Sequence, residues 1–154
     1  MQEIYLALGE IVEVSQVIEY NLATLIKYNE YIKKFKENHK LSKRDYDNFF
    51  EEVEVMYTEL NSSTLGQIIN KLKEVDIFNS SSIKKLYDLL KERNYLVHRF
   101  FKDNNFNEIK VYSQKYNDIC KRLQTTFLNM QDINYKLCEI IKGMQIEFSN
   151  ISKR

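Results

Sequence analysis

No proline occurs anywhere in the 154 residues, and glycine occurs only three times. A proline inside a helix costs about 3 kcal/mol and a glycine about 1 kcal/mol relative to alanine. A chain nearly free of both lets helices run until polar caps stop them. Sandwiches and barrels draw on these residues for their tight turns, so the expected class is all-α.

Apolar spacing divides the chain into about five helices. Ile4, Leu8, Ile11, Ile18, Leu22, Leu25 and Ile32 recur at steps of three and four, broken only by Ser15 and Asn29, which predicts a first helix over about 3–37. Ser42 followed by Asp45 reads as a capping signal before Phe49, Phe50, Val53, Met56, Tyr57 and Leu60. Asn61 to Thr64 form the next cap and loop, ahead of a short third helix with Leu65, Ile68, Ile69, Leu72 and Val75. Asn79 to Ser82 punctuate again, and the fourth helix carries Ile83, Leu86, Leu90, Val97 and Phe101. Past a polar loop at 102–107, apolar residues recur from Ile109 and Tyr112 to Met144 and Phe148. Their spacing is close to 3.5, the coiled-coil period.

So long a last helix needs an equally long neighbour, and the first helix is the one candidate in the chain. The expectation is an antiparallel bundle with long first and last helices as its spine. The far end of the last helix is free to pair with another chain. No repeat, linker or low-complexity tract divides residues 1–154, so a single domain is expected.

The amino-terminal ten residues lack a basic stretch leading into an apolar run, and no apolar segment approaches the ~18 residues that span a bilayer. A cytoplasmic protein without membrane contact is expected. Cys120 and Cys138 lie about 27 Å apart along one helix, too far for a mutual disulfide, and read as reduced core thiols. The net charge of +1 supplies no global pull toward nucleic acid. Residues 27–44 nevertheless hold seven basic side chains against Glu30 and Glu37, and residues 45–60 hold six acidic ones. Two solvated helix faces and a basic lobe for a phosphate backbone both fit that pattern.

Phosphate-binding glycine loops, zinc-spaced Cys and His clusters and nucleophile elbows are all missing. With His39 and His98 the only histidines, neither a metal site nor a cofactor is expected; His39 falls in a loop. What stands out is Arg93-Asn94-Tyr95-Leu96-Val97-His98. Leu86, Leu90, Val97 and Phe101 share one arc of the fourth helix, and Arg93 and Asn94 fall inside it. A charge in an apolar stripe needs a partner or a purpose. Asn94 lies one turn before His98, within reach to orient the imidazole. Arg93 and His98 flank the stripe about 140° apart, so two-fold pairing of two such helices would bring Arg93 of one chain toward His98 of the other. Histidine moves protons near neutral pH and arginine stabilises charge on a phosphate, which suits RNA cleavage without metal. From spacing alone, an Arg and a His five residues apart are more often a buried ion pair and a helix-end histidine than a catalytic pair.

Arg93-Asn94-x-x-x-His98 resembles the Arg-x4-6-His signature of HEPN domains, including the polar residue after the arginine. The architecture is similar as well: a helical bundle with the motif late in the penultimate helix. The resemblance implies a homodimeric, metal-independent ribonuclease that leaves a 2′,3′-cyclic phosphate and serves as a toxin or in defence against phage. Carried over, Arg93 and His98 are the catalytic pair and Asn94 the polar helper. Family members frequently pair with a nucleotidyltransferase-like antitoxin. Arg99 and Lys102, with Lys84, Lys85 and Lys91, make the segment 80–102 locally basic, fitting RNA contact or a solvated face. Tyr95 fits base stacking or packing. The competing functions are a non-catalytic helical interaction module pairing through the last helix, and a silent HEPN domain that binds nucleotide or RNA.

Overall fold

The computed structural model describes residues 1–38 and 40–152, which leaves His39 outside the described part. Six helices follow one another: α1 (Gln2–Asn38), α2 (Lys43–Ser62), α3 (Leu65–Lys73), α4 (Ser80–His98), the single turn α5 (Phe100–Asp103) and α6 (Gln114–Ser152). Among the described residues there is no strand. The chain is an all-α bundle with long first and last helices.

Helix starts follow side-chain caps. The Ser42 hydroxyl accepts from the Asp45 amide while Asp45 accepts from the Ser42 amide, a reciprocal box that satisfies two otherwise orphan donors. Thr64 and Gln67 do the same for α3, and Asn79 accepts from Ser82 at α4. A hydrogen bond and ion pair from Lys34, then the Ser42 contacts, hold the Asp45 carboxyl down at about 2, from an ordinary 3.8. A carboxyl with a depressed folded pKa contributes stability above its unfolded value and loses it as pH falls through the folded one. Asp45→Asn is therefore expected to cost at most about 1 kcal/mol at pH 7, the ceiling for a solvent-screened ion pair, with the gap to wild type closing between pH 4 and pH 2. Urea titrations at stepped pH measure it.

All seven apolar residues of the first seam are buried. Ser15, which interrupts that seam, donates to the Val12 carbonyl at 2.7 Å and so is buried without an orphan hydroxyl. In α2, Phe49, Val53, Met56 and Leu60 point inward, whereas Phe50 stands in solvent.

The spine differs from expectation in its direction. Tyr116 near the start of α6 donates to Glu3 near the start of α1 (2.6 Å), Asn21 donates to Asn134 midway (2.7 Å), and Lys36 meets Glu147 at the far ends (3.2 Å). Helices α1 and α6 are therefore parallel. The reason is parity. Tyr28 packs tilted against Phe49 and Tyr20 edge-on against Tyr57, so α2 returns along α1; α3 climbs back until Lys33 meets Asp76; α4 descends again. Sequence neighbours alternate, and with five long or medium helices the first and fifth share a heading. The α5 turn nearly continues α4, because the Arg99 amide donates to the Tyr95 carbonyl and the Asp103 amide to that of Arg99, so it does not change the count.

Nor does the seam of α6 stay free. Tyr116, Ile119, Leu123, Met130, Leu137, Ile141 and Met144 are buried, and Phe148 packs among Tyr28, Tyr31, Tyr46 and Phe49. The expected projection for pairing with another chain is instead part of this chain's own core. The last helix also starts later than its apolar spacing suggests. Phe106–Glu108 form a 3-10 turn, and Tyr112 takes a left-handed conformation (φ 63°) in the loop before Gln114. Both cysteines sit on α6 as free, half-buried thiols, Cys138 accepting from Asn21. Among the described residues, no helix is long and apolar enough to cross a membrane.

Candidate functional site

Helix α4 buries Leu86, Leu89, Leu90 and Leu96, and the next inward residue is Phe100. Apart from the adjacent Leu89 and Leu90, those positions, with Arg93 between them, follow steps of three and four from Leu86 to Phe100. The expected stripe through Val97 and Phe101 is one residue out of register: Val97 is 41 % and Phe101 46 % exposed. The stripe is turned by roughly 60° from the expected one; Arg93 lies within both, and His98 stays outside.

Opposite Arg93 stands Glu19 of α1, an acid in the middle of that helix's own apolar stripe. Its side chain is 5 % exposed, against 23 % for Arg93, and one oxygen lies 3.0 Å from Arg93 Nη2. The other oxygen accepts from the same nitrogen at 3.3 Å. Nη1 donates to Asn94 Oδ1 at 2.9 Å. The amide expected to orient His98 thus serves Arg93. Among the described residues no acceptor reaches the buried Arg93 Nε. Burial pushes the Glu19 carboxyl above its ordinary range, and the Arg93 guanidinium pulls it part of the way back. Sequence reasoning had not picked out Glu19. The available signal was the one that had picked out Arg93, a charge inside an apolar stripe, and it is of the opposite sign.

His98 is the last residue of α4 and is exposed. Among the described residues no hydrogen bond or ion pair reaches its imidazole. Within one chain, Arg93 and His98 therefore occupy different sides of the helix, the first turned toward α1 and the second toward solvent. Beside His98 lies an aromatic group in which Tyr5 stacks on Phe101 at 5.4 Å, with Phe106 against both. Tyr5, Val97 and Phe101 are exposed there.

The neighbouring cations are unequal. Arg99 is exposed and pairs loosely with Asp103 at 3.7 Å, and Lys84, Lys85, Lys91 and Lys102 are exposed as well. Tyr95 has one face covered by the Arg122 guanidinium, 4.6 Å from the ring centre, and Arg122 is itself clamped by Glu92 at 2.7 and 2.9 Å. That face is not open to a base. A groove of about 360 Å³ between α4 and α6 sets Lys85 against Asp88, Glu92 and Asp132. Glu92 is paired with Arg122 and Asp132 with Lys136, so Lys85 and Asp88 leave the groove without a net positive charge to draw a polyanion. The basic run at 27–44 is likewise paired in part: Lys27 with Glu30 and Glu52, Lys33 with Asp76, Lys34 with Asp45 and Lys36 with Glu147. Among the described residues, no group of three or more His, Cys, Asp or Glu is placed to hold a metal ion. The chain matches no protein-family model, no curated protein and no solved structure with which it was compared.

Proposed function

We propose that the chain is a metal-independent endoribonuclease of the HEPN type that acts as a homodimer, serving as a toxin or in defence against phage. The observation that carries the reading is the placement of His98. It ends α4 exposed, with no hydrogen bond or ion pair among the described residues and with exposed Val97 and Phe101 near it in the chain, while Arg93, one and a half turns earlier on the same helix, keeps part of its side chain in reach of solvent. An apolar rim around a polar centre suits a two-fold contact. In such a pair one His98 takes the proton from a ribose 2′-hydroxyl, whose oxygen attacks the adjacent phosphorus. The 5′-oxygen then leaves with a proton from the second copy's His98, and the product carries a 2′,3′-cyclic phosphate. Arg93 stabilises the charge that builds on the non-bridging oxygens.

Purified protein is expected to cut single-stranded RNA in EDTA and leave cyclic-phosphate ends. Val97→Glu, a change at an exposed position, is expected to halve the mass in sedimentation and abolish cutting while the helical circular-dichroism signal is retained. Cutting by a protein that stays monomeric at high dilution would remove the composite site.

A second reading, favoured by the ion pair that ties Arg93 to Glu19 inside one chain, is a non-catalytic helical module or a silent HEPN domain. On that reading the protein leaves RNA intact under every condition. A nucleotidyltransferase-like antitoxin belongs to the first reading as its proposed partner, and co-expression that relieves growth arrest is its test.

A further inference from the structure

Arginine has five N–H donors, and an acid that only needs to be neutralised is best met by the side-on fork of Nε and Nη2. The pair in this protein is built otherwise. Both Glu19 oxygens sit on Nη2, Asn94 takes one hydrogen of Nη1, and Nε is sealed without an acceptor. A buried donor left unpaired is costly and rarely tolerated without a reason. The arrangement is poor as an ion pair and good as a clamp. It fixes the guanidinium plane from two sides, on α1 and on α4 itself, and leaves one Nη1–H uncommitted on a side chain that still reaches solvent.

We propose that Glu19 is a positioning residue of the ribonuclease site: its buried carboxylate, with Asn94, orients Arg93 so that the free Nη1–H is presented to a phosphate oxygen of the RNA. The inference rests on the ribonuclease reading. Glu19 touches no substrate and acts only through Arg93. Its removal therefore slows the chemical step rather than loosening RNA, since displacing a catalytic group by about 1 Å costs up to about 10²-fold.

The test compares wild type, Glu19→Gln, Arg93→Ala and the double variant. Cleavage of a short single-stranded RNA in EDTA gives kcat and KM, anisotropy with the 2′-deoxy oligonucleotide gives binding without cutting, and Tm reports folding. Glu19→Gln is expected to lower kcat about 10–100-fold with KM and oligonucleotide binding within about threefold. The double variant is expected to be no slower than Arg93→Ala, because a residue that works through another has nothing left to lose. Where Glu19→Gln does not fold, Glu19→Asp, which keeps the charge and withdraws it by one methylene, is expected to show the same fall in kcat. Wild-type kcat in a folded Glu19 variant, with Arg93→Ala inactive, overturns the positioning role alone. So does a double variant that multiplies the two losses. Wild-type protein inert toward RNA removes the ribonuclease reading and this proposal with it.

Discussion

Replacement of His98 by alanine is expected to lower the rate of RNA cleavage by about 10²–10⁴-fold, the usual contribution of a positioned acid or base, and to leave Tm unchanged. The two halves of that expectation come from the same feature. His98 is exposed at the end of α4 with no hydrogen bond or ion pair among the described residues. Shortening it opens no cavity and strands no partner, and surface changes of that kind stay within about 0.5 kcal/mol. A large loss of activity without a loss of stability separates chemistry from folding. His98→Gln, which keeps a polar side chain but cannot shuttle a proton, is expected to be as inactive as alanine. Cleavage in EDTA at wild-type rate by both His98→Ala and Arg93→Ala would end the assignment. Growth arrest on expression, relieved by His98→Ala, gives the same comparison in cells.

The second large effect is on stability and follows from the Glu19–Arg93 pair. Arg93→Met leaves the Glu19 carboxylate buried and unpaired. Removing one partner of a fully buried pair costs about 3–5 kcal/mol, and the partial exposure of Arg93 reduces the expectation to about 2–3 kcal/mol at pH 7. The sign with pH follows from burial. Glu19 already titrates above its ordinary 4.5, and loss of the guanidinium raises it further. A carboxyl raised in the folded state binds its proton more tightly than in the unfolded chain, so stability is greatest below the unfolded value and falls as pH rises through the folded one. The deficit of Arg93→Met against wild type is therefore expected to shrink on going from pH 7 to pH 5. The double variant Glu19→Leu with Arg93→Met removes both charges and is expected to return to within about 1 kcal/mol of wild type. Urea unfolding at the two pH values measures all three. A deficit that does not change with pH would mean that Glu19 is not the group left stranded.

The two experiments divide the motif between its tasks. His98 is expected to matter for rate and not for folding, Arg93 for both. The Glu19 clamp is what makes Arg93 structural within one chain, and the same clamp leaves one Nη1–H uncommitted besides the buried Nε–H.

Much of this was legible in the residues themselves. The seam from Ile4 to Ile32, the Ser42–Asp45 box and the caps at Thr64 and Asn79 are local facts, because helix periodicity and capping involve side chains only three or four positions apart. The alternation of headings was also within reach, since short connections make neighbours antiparallel; counting five such helices puts the first and last on one heading. The register of α4 was not. Leu86, Leu90, Val97 and Phe101 make as good a stripe as Leu86, Leu89, Leu96 and Phe100, and the two differ by less than one residue of rotation.

What the chain settled alone is therefore its class, its helix starts and the presence of an Arg and a His on one helix. Contact with α1 and α6 decided which way that helix turned, and with it the burial of Arg93 against Glu19 and the exposure of His98. The physical reason is that period and capping energies are set within a single turn, whereas rotation about the helix axis is set by which apolar face and which opposite charge the neighbouring helices offer.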